Sequence, residues 1–471
     1  MPRVVVIGGG ISGLAAAYTI VAARSDLDVT VLEASARVGG TQSTELTDDG
    51  FLIERGPDSF ITDKPWALAL AKSLGLESEI ISTNAEHRGS YVVSKGRLER
   101  VPDGFSLMAP TRALSFLRSP IFSWRGKARV ALELALPRGR ARDDESLAGF
   151  VQRRFGHEAF ERLAQPMVAG IYGADPFRLS LRATMPRFLE AERESRSVIL
   201  NLRAKEKKAK AEHGAGARYG LFASFRRGMQ TLPDALEKQL GDRIRTNVRV
   251  TSIARNDLGQ YALTLASGET LTADAVISAL PAPSAAPILR ALDARLFSLL
   301  GDIEHGSTAM VTFAYRTADV PHPLDAFGFV VPTIERRACL ASTWASVKFA
   351  GRAPAGMCLL RVFIGGQNAD AFFAQGDDEL IAVAKSELRD LMGIAVTPHL
   401  TRVQRWPHAM PQYLIGHLDR VAAVERVMQD HASLALAGNA LHGVGIPDAI
   451  HAGEMAAERV LDYLPQRASM S

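Results

Sequence analysis

The sequence predicts an α/β protein of more than one domain, and three observations carry that reading. Residues Arg3 to Ile7 (RVVVI) form a continuous β-branched run. A glycine turn, Gly8-Gly9-Gly10-x-x-Gly13, follows at once and leads into the small, apolar stretch Leu14–Ala23. The chain has 471 residues, more than one hydrophobic core serves well, so two or three domains are expected.

Each element has a physical reason. An unbroken β-branched run suits a strand buried on both faces of a parallel sheet. Gly8 permits the tight turn after it, Gly10 lets the backbone approach a pyrophosphate, and Gly13 lets the helix pack close to the sheet. Leu14–Ala23 reads as that helix and Asp28–Glu33 as the second strand, completing a Rossmann-type βαβ unit. Residues 87–130 change character, with nine Lys/Arg against two Asp/Glu. They include an apolar, proline-punctuated stretch from Phe105 to Trp124 with Phe116, Leu117, Ile121 and Phe122. Residues 145–212 read as helices that end in the basic, alanine-rich run Arg203–Lys210, and Gly214–Gly216 reads as a loop tip. From about residue 222 the α/β pattern returns. Met229–Leu240 reads as a helix, and Ile244–Val250, Tyr261–Leu265 and Ala273–Ala279 as strands. Strand-like runs follow at Ala309–Ala314, Gly328–Val331 and Cys358–Ile364, then a helix over 377–392. No repeat at a fixed period is visible.

Composition narrows the function classes. Apolar residues make up 47% and charged residues 23%, the balance of a globular chain. The net charge of +4, from 55 basic and 51 acidic residues, does not by itself point to nucleic acid, and no nucleic-acid partner is expected. The two cysteines, Cys339 and Cys358, form no C-x-x-C motif and no metal-ligand spacing with histidine, so neither a disulfide framework nor a metal site is expected. No signal peptide is read, because a strand begins within three residues of the N-terminus. No apolar run approaches the ~18–20 residues that span a bilayer. A soluble or monotopic cytoplasmic protein is the expectation.

The glycine turn becomes specific through its context. The helix N-terminus offers unpaired N–H groups and a partial positive charge to a pyrophosphate. Glu33 lies 20 residues after Gly13, where a carboxylate accepts hydrogen bonds from ribose hydroxyls of FAD or NAD and repels the 2′-phosphate of NADP. Past the acid, Arg37 and the pair Gly39-Gly40 give a cation for phosphates and a backbone that approaches a bulky cofactor closely. The C-terminal segment Ala437-Gly438-Asn439 through Gly443-Val444-Gly445 and Asp448 leads into a second small-residue helix. A cofactor held from both chain ends is long, which favours FAD.

With these motifs the chain resembles the FAD-linked amine oxidase superfamily and, within it, the porphyrinogen oxidases, acting on protoporphyrinogen or on coproporphyrinogen III. The more specific segments are Gly56-Pro57-Asp58-Ser59-Phe60, Gly170 to Asp175, Phe225 to Met229, Trp406-Pro407, Pro411-Gln412-Tyr413, Gly416-His417 and Gly438-Asn439 through Asp448. The resemblance implies three domains. A Rossmann-type FAD-binding domain takes 1–85, 216–299 and 406–471, and a mixed-sheet substrate domain takes 300–405. A helical domain over 86–215 covers the active site and contacts the membrane. Non-covalent FAD is implied, contacted by Gly8, Gly10, Gly13, Glu33, Arg37, Gly40, Val250, Trp406, Gly438 and Val444. For the substrate, Gly170 lies opposite the flavin, Arg88 pairs with a propionate, and Phe327 and Val330 sandwich the tetrapyrrole. A membrane surface, a ferrochelatase that receives the product and a homodimeric state are further partners it implies. The chain departs from the family in reading Gly173-Ala174-Asp175 and in placing Ala345 where an aspartate is usual.

The implied reaction removes six electrons from a porphyrinogen in heme biosynthesis, protoporphyrinogen IX to protoporphyrin IX, with coproporphyrinogen III as the alternative. It proceeds by three hydride transfers to the flavin, each followed by reoxidation with dioxygen. Such chemistry asks the protein for orientation and a dry slot rather than a nucleophile or a metal, and no catalytic side chain beyond the flavin is expected. Blander readings stand beside these assignments. Arg88 also reads as a solvated charge, Phe327 as core, and His417 and His442 as structural histidines. The basic run reads as a solvated helix face or a lipid contact. Amine or carotenoid oxidation, a flavin mutase and an inactive scaffold are the competing functions.

Overall fold

The computed structural model describes residues 1–139, 144–212, 220–365 and 369–464; the expected loop tip at Gly214–Gly216 lies outside them. The β-branched run forms the strand Arg3–Ile7, and Val4, Val5 and Val6 are 0–1% exposed, as burial on both faces requires. It lies in a five-stranded parallel sheet, ordered Ile244–Arg245, Asp28–Leu32, Arg3–Ile7, Ala275–Ser278, Leu434–Leu436. Segments more than 400 residues apart in sequence therefore share one sheet.

The helix Ile11–Ala23 and the last helix, Ile446–Tyr463, cover one face of this sheet and enclose a common core with Leu14, Ala17, Ile20, Ile450 and Val460. Two glycines set how closely these helices approach. A Cβ on Gly13 would fall 2.0 Å from the Gly8 carbonyl oxygen, and one on Gly453 would fall 2.2 Å from that of Ser12. The other face packs on the antiparallel sheet Val250–Arg255, Tyr261–Leu265, Thr270–Ala273 and on helices that include Ala282–Leu289.

The strand expected over 244–250 divides in two. Ile244–Arg245 pairs with Val31 and Leu32, whereas Val250–Arg255 belongs to the antiparallel sheet. Asn247 causes the break, because it takes the left-handed conformation (φ +58°) that asparagine tolerates.

A seven-stranded mixed sheet forms the second unit, ordered Leu400–Pro411, His305–Arg316, Met357–Ile364, Cys339–Trp344, Gly328–Val330, Tyr91–Ser94, Arg97–Arg100. Its Val311, Phe313, Leu360 and Val362 face Leu380, Ala384 and Leu388 of the helix Asp377–Met392. The zone 86–215, read as helical, contributes the hairpin Tyr91–Arg100 to this sheet through a parallel pairing with Gly328–Val330. The strand Leu400–Pro411 runs across the boundary expected at 405/406.

Helices between Ala113 and Glu212 make the third unit, around Phe150, Phe155, Leu163, Val168 and Phe188. Glu133 and Arg154, both at most 1% exposed, form an ion pair inside it. Ser197 Oγ (2.6 Å) and Val198 N–H (2.8 Å) donate to the same carboxylate. The guanidinium also donates to the Pro137 carbonyl at 2.9 Å. A buried pair needs such full satisfaction to offset its desolvation. Among the described residues no helix is long and apolar enough to cross a membrane.

Gly453→Ala tests the helix contact. The added methyl is expected to cost about 1–3 kcal/mol, read as a lower denaturation midpoint at unchanged slope; an unchanged midpoint contradicts the tight contact.

Candidate cofactor and substrate site

The opening strand delivers the chain into a turn whose first residue must be glycine. Gly8 has φ +104°, and a Cβ there would sit 3.0 Å from the Ala279 carbonyl oxygen. Gly10 then caps the helix Ile11–Ala23 with no side-chain cap, and a Cβ built on it meets nothing within 4 Å. There is therefore room for a ligand atom beside the N-terminus of that helix. The loop after the second strand closes one side of that space. Gly39 N–H donates to the Gly9 carbonyl at 2.8 Å, and Gly40 packs 3.4 Å from the Gly10 Cα, measured from a Cβ built on Gly40.

Glu33 directly follows the strand Asp28–Leu32. Its carboxylate accepts from Gly9 N–H (2.7 Å) and from the N–H and hydroxyl of Ser35 (2.7 and 2.6 Å). A carboxylate has about four lone-pair sites, so acceptor capacity remains for a hydroxyl. Arg37, expected on phosphates, donates to the carbonyls of Val38 (2.9 Å), Gly40 (2.7 Å) and Gln42 (3.3 Å). Three of its donors therefore hold its own loop, because the glycine turn leaves those carbonyls without ladder partners. Val250 is buried between the two sheets with Val5, Ile7 and Leu32.

A second uncapped helix N-terminus lies at the other chain end. Gly445 caps the helix Ile446–Tyr463 without a side-chain bond, and Gly438 (φ +112°) has only the Leu280 carbonyl oxygen near a built Cβ, at 3.8 Å. Asp448 fills the turn beside Gly443 and pairs with Lys64 at 2.5 Å. Val444 packs against the helical unit's core, as Val330 does. Tyr172 lies close by. Burial, and then the Asp448 charge, push its hydroxyl up to about 12.

Two helix N-termini without side-chain caps, an acid after the second strand and glycine backbone beside both fit a dinucleotide cofactor. A further feature agrees. Gln42, 1% exposed and next to the Gly39-Gly40 turn, has both polar side-chain atoms without a hydrogen-bond partner, and such groups ordinarily find one.

The expected substrate residues make two separate contacts. Gly170, on the helix Gln165–Tyr172, faces Val330, whose Cγ1 lies 3.9 Å from a Cβ built on the glycine. Phe327, half-buried, donates its N–H to the Gly89 carbonyl at 3.0 Å, which brings Arg88 alongside it. The Arg88 side chain is exposed and makes no hydrogen bond or ion pair among the described residues.

Sequence reasoning missed how the large sheet is locked to the cofactor unit. Trp406 Nε1–H donates to the Arg55 carbonyl at 2.7 Å, and Arg361 donates to that of Gly56. Lys348 (2.8 Å) and Arg361 (3.3 Å) both pair with Asp58. Burial pushes the Asp58 carboxyl up, but these two cations outweigh it and hold it well below the ordinary carboxylate range. No periodicity announces this cluster, since its members lie about 300 residues apart. The Gly56-Pro57-Asp58-Ser59 and Trp406-Pro407 segments are its visible signals in the sequence.

Known proteins resemble this chain over nearly its whole length. The family described as flavin containing amine oxidoreductase matches residues 11–461. The chain is 36% identical over 468 residues to coproporphyrinogen III oxidase of Bacillus subtilis (strain 168), covering 98% of each. It is 32% identical to the chloroplastic protoporphyrinogen oxidase of Oryza sativa subsp. japonica, over 98% of this chain and 89% of that one. Among solved structures it is similar, with TM-score 0.86 and 30% identity over 98% of both chains, to an Exiguobacterium sp. 255-15 protein provisionally described as a protoporphyrinogen oxidase.

Asp58→Asn tests the lock. Removing one member of a buried ion cluster is expected to cost about 3–5 kcal/mol near neutral pH. The depressed carboxyl contributes stability that is present above the unfolded value of about 3.9 and is lost as pH falls toward the folded one. A denaturation series from pH 7 to 2 should therefore show a shallower acid limb in the variant; parallel limbs contradict the pairing.

Proposed function

Because this chain belongs to the flavin-containing amine oxidoreductase family, we propose that it is an FAD-dependent oxidase that removes six electrons from a porphyrinogen in heme biosynthesis. The observation that carries this reading is the cradle at two uncapped helix N-termini, in a chain that porphyrinogen oxidases match end to end. When bound, FAD supplies the two-electron acceptor that no amino-acid side chain offers, with dioxygen as the final oxidant.

The residues of this chain bind and orient. N–H groups of the first turn of the helix Ile11–Ala23 receive the pyrophosphate, and Glu33 accepts from a ribose hydroxyl. Gly40, Gly438 and Val444 keep backbone and a small side chain against the cofactor, and Trp406 flanks it. Binding is non-covalent in this reading. Cys339 and Cys358 are both buried, in the core behind the large sheet rather than in the cradle. The helix bearing Gly170 leaves a slot without a Cβ opposite Val330, with Phe327 beside it. Arg88 grips a propionate through the forked geometry of a guanidinium. Holding the substrate's meso carbon against the acceptor in a water-poor slot is the protein's main contribution.

Protoporphyrinogen IX is the expected substrate. Coproporphyrinogen III is the second reading, favoured by the relatives at 36% and 34% identity that carry its oxidase's name. The exposed Leu114, Leu117 and Trp124, interleaved with exposed Arg112, Arg118 and Arg125, support peripheral contact with an anionic membrane surface from the cytoplasmic side.

A side-by-side fluorescence assay of both porphyrinogens with purified yellow protein tests the reading. Porphyrin formation coupled to dioxygen uptake is expected, and flavin should remain in the supernatant after acid precipitation. Neither substrate turning over would end it. Gly10→Ala is expected to fold normally, since the methyl meets open space and φ is −71°. It should weaken FAD binding at least about tenfold by blocking the pyrophosphate, the equivalent of ~1.4 kcal/mol; an unchanged Kd by flavin fluorescence argues against the site. Arg88→Ala should raise KM by about 10-fold or more, the worth of a charged hydrogen bond, with a smaller change in kcat; an unchanged KM removes Arg88 from the substrate site.

A further inference from the structure

The segment Pro411-Gln412-Tyr413-x-x-Gly416-His417 has no role in the reaction described above, yet it is among the most tightly built parts of the molecule. Tyr413 is 2% and His417 0% exposed. The Tyr413 hydroxyl donates to the Asn439 carbonyl at 2.6 Å and accepts from Gly443 N–H at 2.7 Å. The His417 ring stacks on the tyrosine, with centroids 4.0 Å apart and planes 13° from parallel. Its Nε2 lies 3.1 Å from the Leu441 carbonyl oxygen, so that nitrogen carries the proton. Two side chains thus hold residues 439, 441 and 443 of the loop that runs from Gly438 into the last helix.

The same segment grips the helical unit on its other side. Gln412 Nε2–H donates at 3.1 Å to the carbonyl of Tyr172, the last residue of the helix that carries Gly170. Ser180 N–H donates to the Tyr413 carbonyl at 2.8 Å, and Ile415 N–H to that of Arg178 at 2.9 Å. One short stretch therefore bonds both to the C-terminal glycine loop and to the substrate-side helix.

We infer that Gln412, Tyr413 and His417 are positioning residues that set the separation between the helix Gln165–Tyr172 and the loop Gly438–Gly445, and so the width of the slot in which porphyrinogen meets flavin. This rests on the function proposed above. The two sides are separable. Tyr413 and His417 control the loop on the cofactor side, and Gln412 controls the helix on the substrate side.

The test uses the purified holoprotein. Tyr413→Phe keeps the stacked ring and removes both hydroxyl bonds. It is expected to weaken FAD binding about tenfold, since a buried carbonyl and N–H lose their partner, and to shift the visible flavin absorption band. Gln412→Met keeps the volume and frees Tyr172. It is expected to raise KM for the porphyrinogen several-fold while FAD Kd and the flavin band stay within about twofold of the unmodified protein. Both variants at unmodified Kd, band position and KM, with only a lowered Tm, would reduce the segment to a structural role and overturn the inference. If Tyr413→Phe gives no soluble chain, His417→Gln decides by the same FAD measurements, an unchanged Kd overturning it. An unmodified protein that binds no FAD or oxidises neither porphyrinogen removes the proposed function and this inference together. A working enzyme with unaffected variants removes this inference alone.

Discussion

The contact between Gly13 and the Gly8 carbonyl is the constraint on which the rest of the molecule depends. It lets the first helix lie against the first strand at a distance no side chain permits. That approach aims the helix N-terminus at the turn Gly8–Gly10 and leaves Ser12 exposed to the last helix, which closes on it through Gly453. The cradle at the two helix N-termini is thus a consequence of backbone packing. Side chains contribute little to it beyond Glu33, and electrostatics enter through the aligned peptide dipoles of two helices.

The second constraint is the fixed register between this unit and the seven-stranded sheet. Apolar packing of Phe51, Ile53, Ala314 and Leu359 joins them, and a small core of this kind resists sliding weakly. Directional contacts add what area cannot. Arg402 pairs with Glu45 at 2.9 Å, Trp406 and Arg361 hold consecutive carbonyls, and Lys348 and Arg361 share Asp58. Glu54 and Arg352 sit 4.0 Å apart at the edge of the same junction. Burial pushes the Glu54 carboxyl up, against the Thr44 hydroxyl, Met229 N–H and Arg352 that favour its anion. Buried charges of this kind specify one arrangement more than they stabilise it. A slot built between two units needs that specification, because small misplacement of reacting atoms costs rate steeply.

The third unit meets the large sheet through apolar packing of its core against Val92 and Val330, and the end of its helix Gln165–Tyr172 is tied by Gln412. Gly170 of the helical unit faces Val330 of the large sheet, and Phe327, just before the strand Gly328–Val330, bonds to the Gly89 backbone. The exposed Leu114, Leu117 and Trp124 lie on the outside of the helical unit.

What depends on near neighbours is legible in the chain alone. A β-branched run, glycines at positions of positive φ or close approach, and an acid at the end of the second strand define the βαβ unit within some 30 residues, because strand and helix periodicities and turn sterics act over that range. The elements Tyr261–Leu265 and Asp377–Met392 were legible for the same reason. The tertiary structure alone decided where donors find acceptors. Arg37 turned to its own loop, Asn247 split one expected strand, and Tyr413 and His417 met a loop some 25 residues further on. Asp58 found cations about 300 residues away. Hydrogen bonds and ion pairs are directional and short-ranged, so their partners exist only once the backbone has brought distant segments within about 3 Å.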